Sequence, residues 1–310
     1  MTRRIPLEHL CGVWSAAPTP FTDTMELDVP SVRRMVEHHV RLGAKGLFLA
    51  GTNGEGPWMT NGQRSALVQA VRRYARGRLV LAVQVTDNSA ERIMDNARQA
   101  KADGADIAVI APPYFLMNAT PANILTLYRQ AIRRCPLPVG VYDRGKHGST
   151  AVPDAILKAI YAEKNVVLVK DSSMDPARRR IALDARKKRP TLRLLSGYEF
   201  DCVSYLQAGY DGLLLGGGVF NGYIAGQIVK AVAAGDPALA RRLQERMNRL
   251  MYAVYGGKRI TCWLSGEKKL LVEMGLFRSW KNYPAYPLTP SCRSAIRRVL
   301  KADRDILFPA

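Results

Sequence analysis

The sequence lacks the marks of a membrane protein, a disulfide-rich secreted protein or a zinc protein. Nowhere in its 310 residues does an apolar run approach the roughly 18 residues that a transmembrane helix needs, so we expect no membrane association. Its five cysteines are scattered, odd in number and never spaced as C-x-x-C, which favours a reducing cytoplasm. The four histidines form no H-x-H or H-E-x-x-H pair. We therefore predict no catalytic metal, and nothing in the sequence calls for a cofactor.

Acidic residues are also few, with 26 Asp and Glu against 46 Lys and Arg, which gives a net charge of +20. Such an excess could indicate a nucleic-acid-binding protein. The basic residues, however, are spread over many predicted helices and form no stripe interleaved with aromatic residues. We interpret them as solvated helix faces and expect no nucleic-acid partner. A basic surface would still attract anionic small molecules, to an extent that salt reduces.

Short apolar runs alternate with helix-like segments along most of the chain. Eight such runs, interpreted as strands, lie near residues 12–17, 47–50, 79–85, 107–111, 137–142, 166–170, 192–195 and 212–215. Unbroken apolar strands that alternate with helices are typical of parallel sheets, and eight units predict a (β/α)8 TIM barrel. A doubly wound open sheet is the alternative, but no G-x-G-x-x-G follows a strand.

The chain continues beyond the eighth unit with three further predicted helices, near residues 237–255, 263–275 and 291–305. No linker or low-complexity stretch separates them from the preceding units. We therefore expect a catalytic barrel domain over residues 10–235 and a C-terminal three-helix appendage, residues 236–310, packed on it.

Lys170 directly follows the apolar run Val166–Val169. It could simply be the first solvated residue after a core strand. In a barrel of this class, however, the active site lies at the carboxyl ends of the strands, where Lys170 would meet Tyr142 and the small residues of Gly51-Thr52-Asn53. An apolar environment lowers the pKa of an amine and makes it a nucleophile towards ketones. A phenol can transfer the protons, and loop N–H groups can bind a carboxylate, so these strand ends suit Schiff-base chemistry.

Five motifs stand in the order and spacing of one enzyme family. They are Pro18-Thr19-Pro20-Phe21, Gly51-Thr52-Asn53-Gly54-Glu55, Pro112-Pro113-Tyr114, Tyr142 at the end of a strand, and Val169-Lys170-Asp171-Ser172-Ser173. On these motifs the chain resembles the dihydrodipicolinate synthase / N-acetylneuraminate lyase family. The resemblance implies a (β/α)8 barrel, a homotetramer built as a dimer of dimers, and a Schiff base between a lysine and pyruvate or another 2-oxo acid.

The resemblance also implies roles for individual residues. Lys170 would be the Schiff-base lysine, Tyr142 the phenol that handles protons, and Thr52 the hydroxyl beside it. The loop Gly51-Thr52-Asn53 would hold the carboxylate of the substrate. Apart from the resemblance, we expect Gly216 and Gly217, after the eighth strand, to allow close approach to the bound 2-oxo acid; a phosphate cradle before a helix and plain turn glycines are the alternatives.

Three positions depart from the synthase pattern. Asn53 stands where the synthase usually has a second Thr, and Phe115 stands where it has a second Tyr that completes a proton relay. His147 occupies the place of an Arg that holds the carboxylate of the aldehyde partner; Lys146 falls there if the loop is one residue shorter. We expect Phe115, Lys146 and His147 to contact substrate.

These departures favour a lyase, either an aldolase or a dehydratase, that acts on a 2-oxo acid such as a 2-keto-3-deoxy sugar acid. Pyruvate would be a product or a substrate. The alternatives are 4-hydroxy-tetrahydrodipicolinate synthase, which condenses pyruvate with aspartate semialdehyde, and a non-catalytic relative that binds 2-oxo acids.

Overall fold

Eight parallel strands close into a barrel in chain order, with β8 paired to β1. This arrangement is seen in a computed structural model that describes residues 5–146, 148 and 150–309. The strands are β1 Gly12–Ala16, β2 Gly46–Leu49, β3 Val80–Gln84, β4 Ile107–Ile110, β5 Val139–Asp143, β6 Val166–Asp171, β7 Arg193–Ser196 and β8 Gly212–Leu215. The predicted (β/α)8 TIM barrel is confirmed.

A helix follows each strand and covers the outside of the barrel. Side-chain caps begin most of these helices; in α2 and α4, Thr60 and Thr120 form capping boxes with the residues three positions on. The helices are α1 Val29–Arg41, α2 Asn61–Ala75, α3 Ala90–Ala102, α4 Pro121–Arg134, α5 Asp154–Tyr161, α6 Pro176–Lys188, α7 Cys202–Gln207 and α8 Gly218–Ala233.

Successive residues of each strand point alternately into the barrel and outward to the layer beneath the helices. Trp14, Phe48 and Leu168 belong to a buried cluster inside the barrel, together with Tyr142. Residues of the opposite phase pack against the helices in a second, larger cluster. A side chain at Gly46 would meet the Trp14 indole at 2.7 Å, so only glycine leaves room for this ring. The interior is therefore a packed core that opens only at the ends of the strands.

The chain after α8 forms α9 Pro237–Tyr255, α10 Trp263–Glu273, α11 Pro290–Ala302 and α12 Arg304–Leu307. The third predicted tail helix, near 291–305, is thus two helices. Asp303 separates them with a non-helical backbone, and its carboxylate accepts a hydrogen bond of 3.0 Å from Nε of Arg246. Apolar side chains of α9, α10 and α11 lie in the same core cluster as the outer layer of the barrel. No helix in the described part of the chain is long and apolar enough to cross a membrane.

Candidate active site

Tyr142 on β5 and Lys170 on β6 are direct partners in the strand register. Both point into the barrel, where Nζ of Lys170 lies 4.3 Å from the centroid of the Tyr142 ring and 5.0 Å from that of Phe48. The next pair, Asp143 and Asp171, has the opposite phase and faces the outer helices. The amine predicted from the sequence is therefore held among aromatic rings at the carboxyl end of the barrel.

The Lys170 side chain is only 7% exposed, and this burial decides its protonation. Loss of solvation lowers the pKa of its amine below the usual range for lysine. Tyr142 and Glu199 oppose the shift by favouring the ammonium, whereas Arg144 strengthens it. The outcome is an amine that is more often neutral, and so more nucleophilic, than a surface lysine.

The surroundings of Tyr142 favour the ionised form of its phenol. Burial alone would raise its pKa, but Lys170, Arg144 and the hydroxyls of Ser172 and Thr52 together bring the pKa below its usual range. A phenol and an amine whose pKa values both fall towards neutrality can exchange protons with a bound ligand at moderate pH. Because the Thr52 hydroxyl hydrogen-bonds to the phenol, Thr52 lies beside Tyr142, as the sequence predicts.

A cavity of about 610 Å3 opens at this end of the barrel. Its walls include five of the residues predicted from the sequence, which are Thr52, Asn53, Tyr142, Lys170 and Gly216. Other predicted residues lie elsewhere. Gly51 packs under the loop, where a side chain would meet the Phe48 ring at 2.6 Å. Gly217 is buried behind Gly216, and its N–H donates a hydrogen bond of 2.8 Å to Glu199.

Phe115 and Lys146 also lie apart from the walls of the cavity. Phe115 is 61% exposed, and its backbone N–H donates to Oδ1 of Asn88. Lys146 is exposed, whereas Arg144, two residues earlier, lines the cavity. The positive φ of Gly145 turns the chain between them. His147 lies outside the described residues.

Glu199 also lines the cavity and was not among the predicted site residues. Its Oε2 accepts a hydrogen bond of 2.8 Å from the N–H of Gly217, and its Oε1 accepts one of 2.9 Å from the hydroxyl of Tyr255. Burial raises the pKa of this carboxyl, although both hydrogen bonds and Lys170 act against the shift. The site thus holds a carboxyl biased towards its neutral form.

The helical tail completes the cavity. Tyr252 and Tyr255 come from α9, Lys258 and Ile260 from the loop after it, and Trp263 from the start of α10. No local pattern in the sequence assigns these residues to the site, because their position depends on how the tail packs on the barrel. Gly256 and Gly257, which precede Lys258, both have a positive φ. In the sequence this pair indicates a sharp turn but does not indicate a binding site.

The loop after β2 is tied to the tail by buried polar contacts. The side-chain N–H groups of Asn53 lie within hydrogen-bond distance of three acceptors: the carbonyls of Ala16 and Gly216 and a carboxylate oxygen of Glu267 on α10. Glu55 forms a fully buried ion pair with Lys268 on the same helix. The Asn53 side chain therefore ties the loop after β2 to β1, to the segment after β8 and to α10.

No group of three or more His, Cys, Asp or Glu side chains that could hold a metal ion occurs among residues 5–146, 148 and 150–309. The groups at the site are instead those of amine and proton-transfer chemistry: a buried amine, a phenol, hydroxyls and one carboxyl.

Residues 9–303 match the model of the dihydrodipicolinate synthetase family. The chain belongs to this family. Its members are lyases and synthases of the class I aldolase kind.

Two relatives and one solved structure illustrate the range of the family. The 4-hydroxy-tetrahydrodipicolinate synthase of Anaeromyxobacter sp. (strain Fw109-5) is 30% identical over 254 residues, 79% of this chain and 83% of the relative. The probable 2-dehydro-3-deoxy-D-pentonate aldolase of Escherichia coli (strain K12) is 26% identical over 246 residues, covering 79% and 81%. The dihydrodipicolinate synthase structure from Bacteroides thetaiotaomicron superposes with a TM-score of 0.86 at 26% identity, covering 94% and 98%. This chain is therefore about as similar to the E. coli aldolase as it is to these two synthases.

Proposed function

We propose that the protein is a class I lyase that forms a Schiff base between Lys170 and a 2-oxo acid, such as a 2-keto-3-deoxy sugar acid. The observation that carries this proposal is the position of the buried Lys170 amine, 4.3 Å from the Tyr142 ring, in a cavity at the carboxyl ends of the strands. The lowered pKa of the amine favours attack on the ketone carbon.

The residues around the amine supply the remaining steps. Tyr142 takes up and returns the protons that move as the ketone becomes an iminium, and Thr52 orients its hydroxyl. The backbone N–H groups of Thr52 and Asn53 bind the carboxylate next to the ketone. Gly216, where a side chain would meet Glu199 and Asn53, leaves room for the 2-oxo acid beside them. The iminium then withdraws electrons from the neighbouring carbon, so that a C–C or C–O bond of the substrate can break.

The departures from the synthase pattern support a sugar-acid substrate over aspartate semialdehyde. Phe115 has no hydroxyl to complete a proton relay, and Asn53 uses its side chain to hold the loop. The E. coli relative, whose name specifies a 2-dehydro-3-deoxy-pentonate, is about as similar to this chain as the synthases are. The synthase activity and a non-catalytic binding role remain the alternatives that the experiments must separate.

Trapping with borohydride tests the mechanism directly. The protein is incubated with pyruvate, sodium borohydride is added, the protein is digested, and the masses of the peptides are measured by mass spectrometry. We expect a stable pyruvate adduct on the peptide that contains Lys170, no adduct in Lys170→Met, and an unchanged adduct in Lys188→Met, an exposed lysine of α6. A folded wild type without the adduct would refute the Schiff-base mechanism. Efficient condensation of pyruvate with aspartate semialdehyde would favour the synthase instead.

The assembly and domain organisation are part of the same proposal. A homotetramer is supported by apolar side chains left exposed around the barrel mouth, among them Trp58, Phe115 and Met117. Light scattering after size-exclusion chromatography measures the mass of the assembly, which is compared with the 34.3 kDa of one chain.

Residues 10–235 would form the catalytic barrel and 236–310 its helical extension. A cytoplasmic location suits the five cysteines, each of which is a free thiol.

A further inference from the structure

The cavity contains a carboxyl group, that of Glu199, which has no role in the Schiff-base mechanism described above. Glu199 is the sole carboxyl among the described residues that line the cavity; the Lys170 amine and two cations, Arg144 and Lys258, share the walls with it. Glu199 is only 9% exposed, and its two oxygens accept hydrogen bonds from the N–H of Gly217 and the hydroxyl of Tyr255. A carboxyl that is fixed in this way beside a nucleophilic amine can transfer a proton to a bound ligand.

The segment that carries Glu199 is fitted closely to Lys170. A side chain at Gly197, two residues earlier, would lie 3.0 Å from Cε of Lys170 and 2.0 Å from Oγ of Ser172. Glycine therefore allows the chain after β7 to pass directly against the lysine, and the short 3-10 helix Glu199–Asp201 begins there. Glu199 also acts electrostatically on the Lys170 amine.

We propose that Glu199 is a general acid that protonates the departing hydroxyl on C4 of a 2-keto-3-deoxy acid bound to Lys170, so that the enzyme is a dehydratase. This inference rests on the proposed function. The carboxyl donates its proton in the step that breaks the C–O bond, and a neutral carboxyl is what this step requires. Cleavage of the C3–C4 bond would instead need a base at the C4 hydroxyl.

The steps balance without any further reactant. The neutral Lys170 amine and the C2 ketone condense to an iminium and release water, and the Tyr142 hydroxyl supplies the proton that this step requires. The ionised Tyr142 removes a proton from C3, and the electrons of the C–H bond form an enamine. The C4–O bond breaks with its electron pair on oxygen, which takes the proton of Glu199 and leaves as water, while the enamine electrons form the C3–C4 double bond. Hydrolysis of the iminium releases the dehydrated 2-oxo acid, the neutral Lys170 amine and one proton, which returns to Glu199, while Tyr142 keeps the proton taken from C3.

Pyruvate separates the role of Glu199 from that of Lys170, because pyruvate forms an enamine but has no C4 hydroxyl. Exchange of its methyl protons in D2O is followed by NMR. Water loss is measured on 2-keto-3-deoxy acids of five and six carbons. In Glu199→Gln we expect kcat for dehydration to fall roughly 100-fold or more and the exchange rate to fall far less, because pyruvate has no C4 hydroxyl to protonate. Glu91→Gln, exposed on α3, is the matched control.

Three results would overturn this inference while leaving the Schiff base intact. Glu199→Gln could keep its dehydration rate, or it could lose exchange and dehydration equally, which would indicate a merely structural role. A wild type that exchanges the protons of pyruvate but releases pyruvate, or nothing, from both longer acids would also exclude it. Absence of the Lys170 adduct refutes the proposed function itself, so the two failures are distinguishable.

Discussion

Lys170 and Tyr142 face each other across β5 and β6 as register partners, with the amine 4.3 Å from the centroid of the phenol ring. The contact makes each group a determinant of the charge of the other. An ionised Tyr142 stabilises the ammonium of Lys170, and the ammonium lowers the pKa of Tyr142. The contact therefore favours transfer of a proton from the phenol to the amine, and burial of the two groups opposes it.

Replacement of Tyr142 tests this relationship. Tyr142→Phe keeps the ring next to Lys170 but removes the proton carrier, so we expect kcat for turnover of a 2-oxo acid to fall by roughly 100- to 10,000-fold. Borohydride should still trap pyruvate on Lys170, though more slowly, because the nucleophile remains. Tyr74→Phe on the outer helix α2 serves as the control. A Tyr142→Phe enzyme with kcat within threefold of wild type would exclude the phenol as proton carrier.

The barrel and the Lys170–Tyr142 pair could be predicted from the sequence because both follow from local patterns. Apolar runs specify the strands, and parallel closure brings the strand ends together. Arg144 was not among the predicted site residues of its loop, which were Lys146 and His147, because the turn at Gly145 decides which side chain of this loop enters the cavity. Lys258 and Trp263 could not be assigned, because tertiary packing of the tail, not a local pattern, brings them to the cavity.

Arg144 provides a second test of the electrostatics. No ion pair joins Arg144 to a carboxylate in the described part of the chain. Its positive charge is therefore not neutralised by a partner and acts on the cavity that it lines. Arg144→Met removes a charge that lowers the pKa of Lys170. The pKa of the amine should rise, and the pH profile of adduct formation should move to higher pH. The KM for 2-oxo acids should increase roughly 10- to 100-fold if the guanidinium also binds the anion.

The same two measurements on Lys146→Met test the sequence prediction for Lys146. Its exposed side chain should leave the pH profile where it is, because solvent screens its charge. A shift as large as that of Arg144→Met would show that Lys146, not Arg144, provides the cation of the site.

The buried pair of Glu55 and Lys268 predicts a large dependence of stability on the tail. Lys268→Met leaves the Glu55 carboxylate without its partner, so the free energy of unfolding should fall by about 3–5 kcal/mol. The double variant Glu55→Gln, Lys268→Met should recover part of this loss. Lys269→Met, which breaks the more exposed pair with Glu273, should cost less than about 1 kcal/mol in the same urea titration. Equal losses for Lys268→Met and Lys269→Met would contradict the buried ion pair.

Two adjacent histidines on α1 predict a loss of stability in mild acid. Burial lowers the pKa of His38 to about 4 and that of His39 to about 3, against an ordinary value of 6.5. The carbonyl of Met35 accepts from Nδ1 of His39, so Nε2 is left to accept from the hydroxyl of Ser15. This arrangement holds the imidazole neutral. Between pH 6.5 and these lowered values the unfolded chain binds more protons than the folded one, so stability falls as the pH falls.

The size of this loss can be measured by urea titration at pH 7.5 and pH 5.0. Each histidine should contribute about 2 kcal/mol to the difference in unfolding free energy between the two pH values. In His39→Gln the difference should shrink by about that amount, because one titrating group is gone. His9→Gln, whose side chain is exposed, is the matched control and should change it little. A His39→Gln protein that loses as much stability as wild type between the two pH values would show that His39 is not held neutral by the fold.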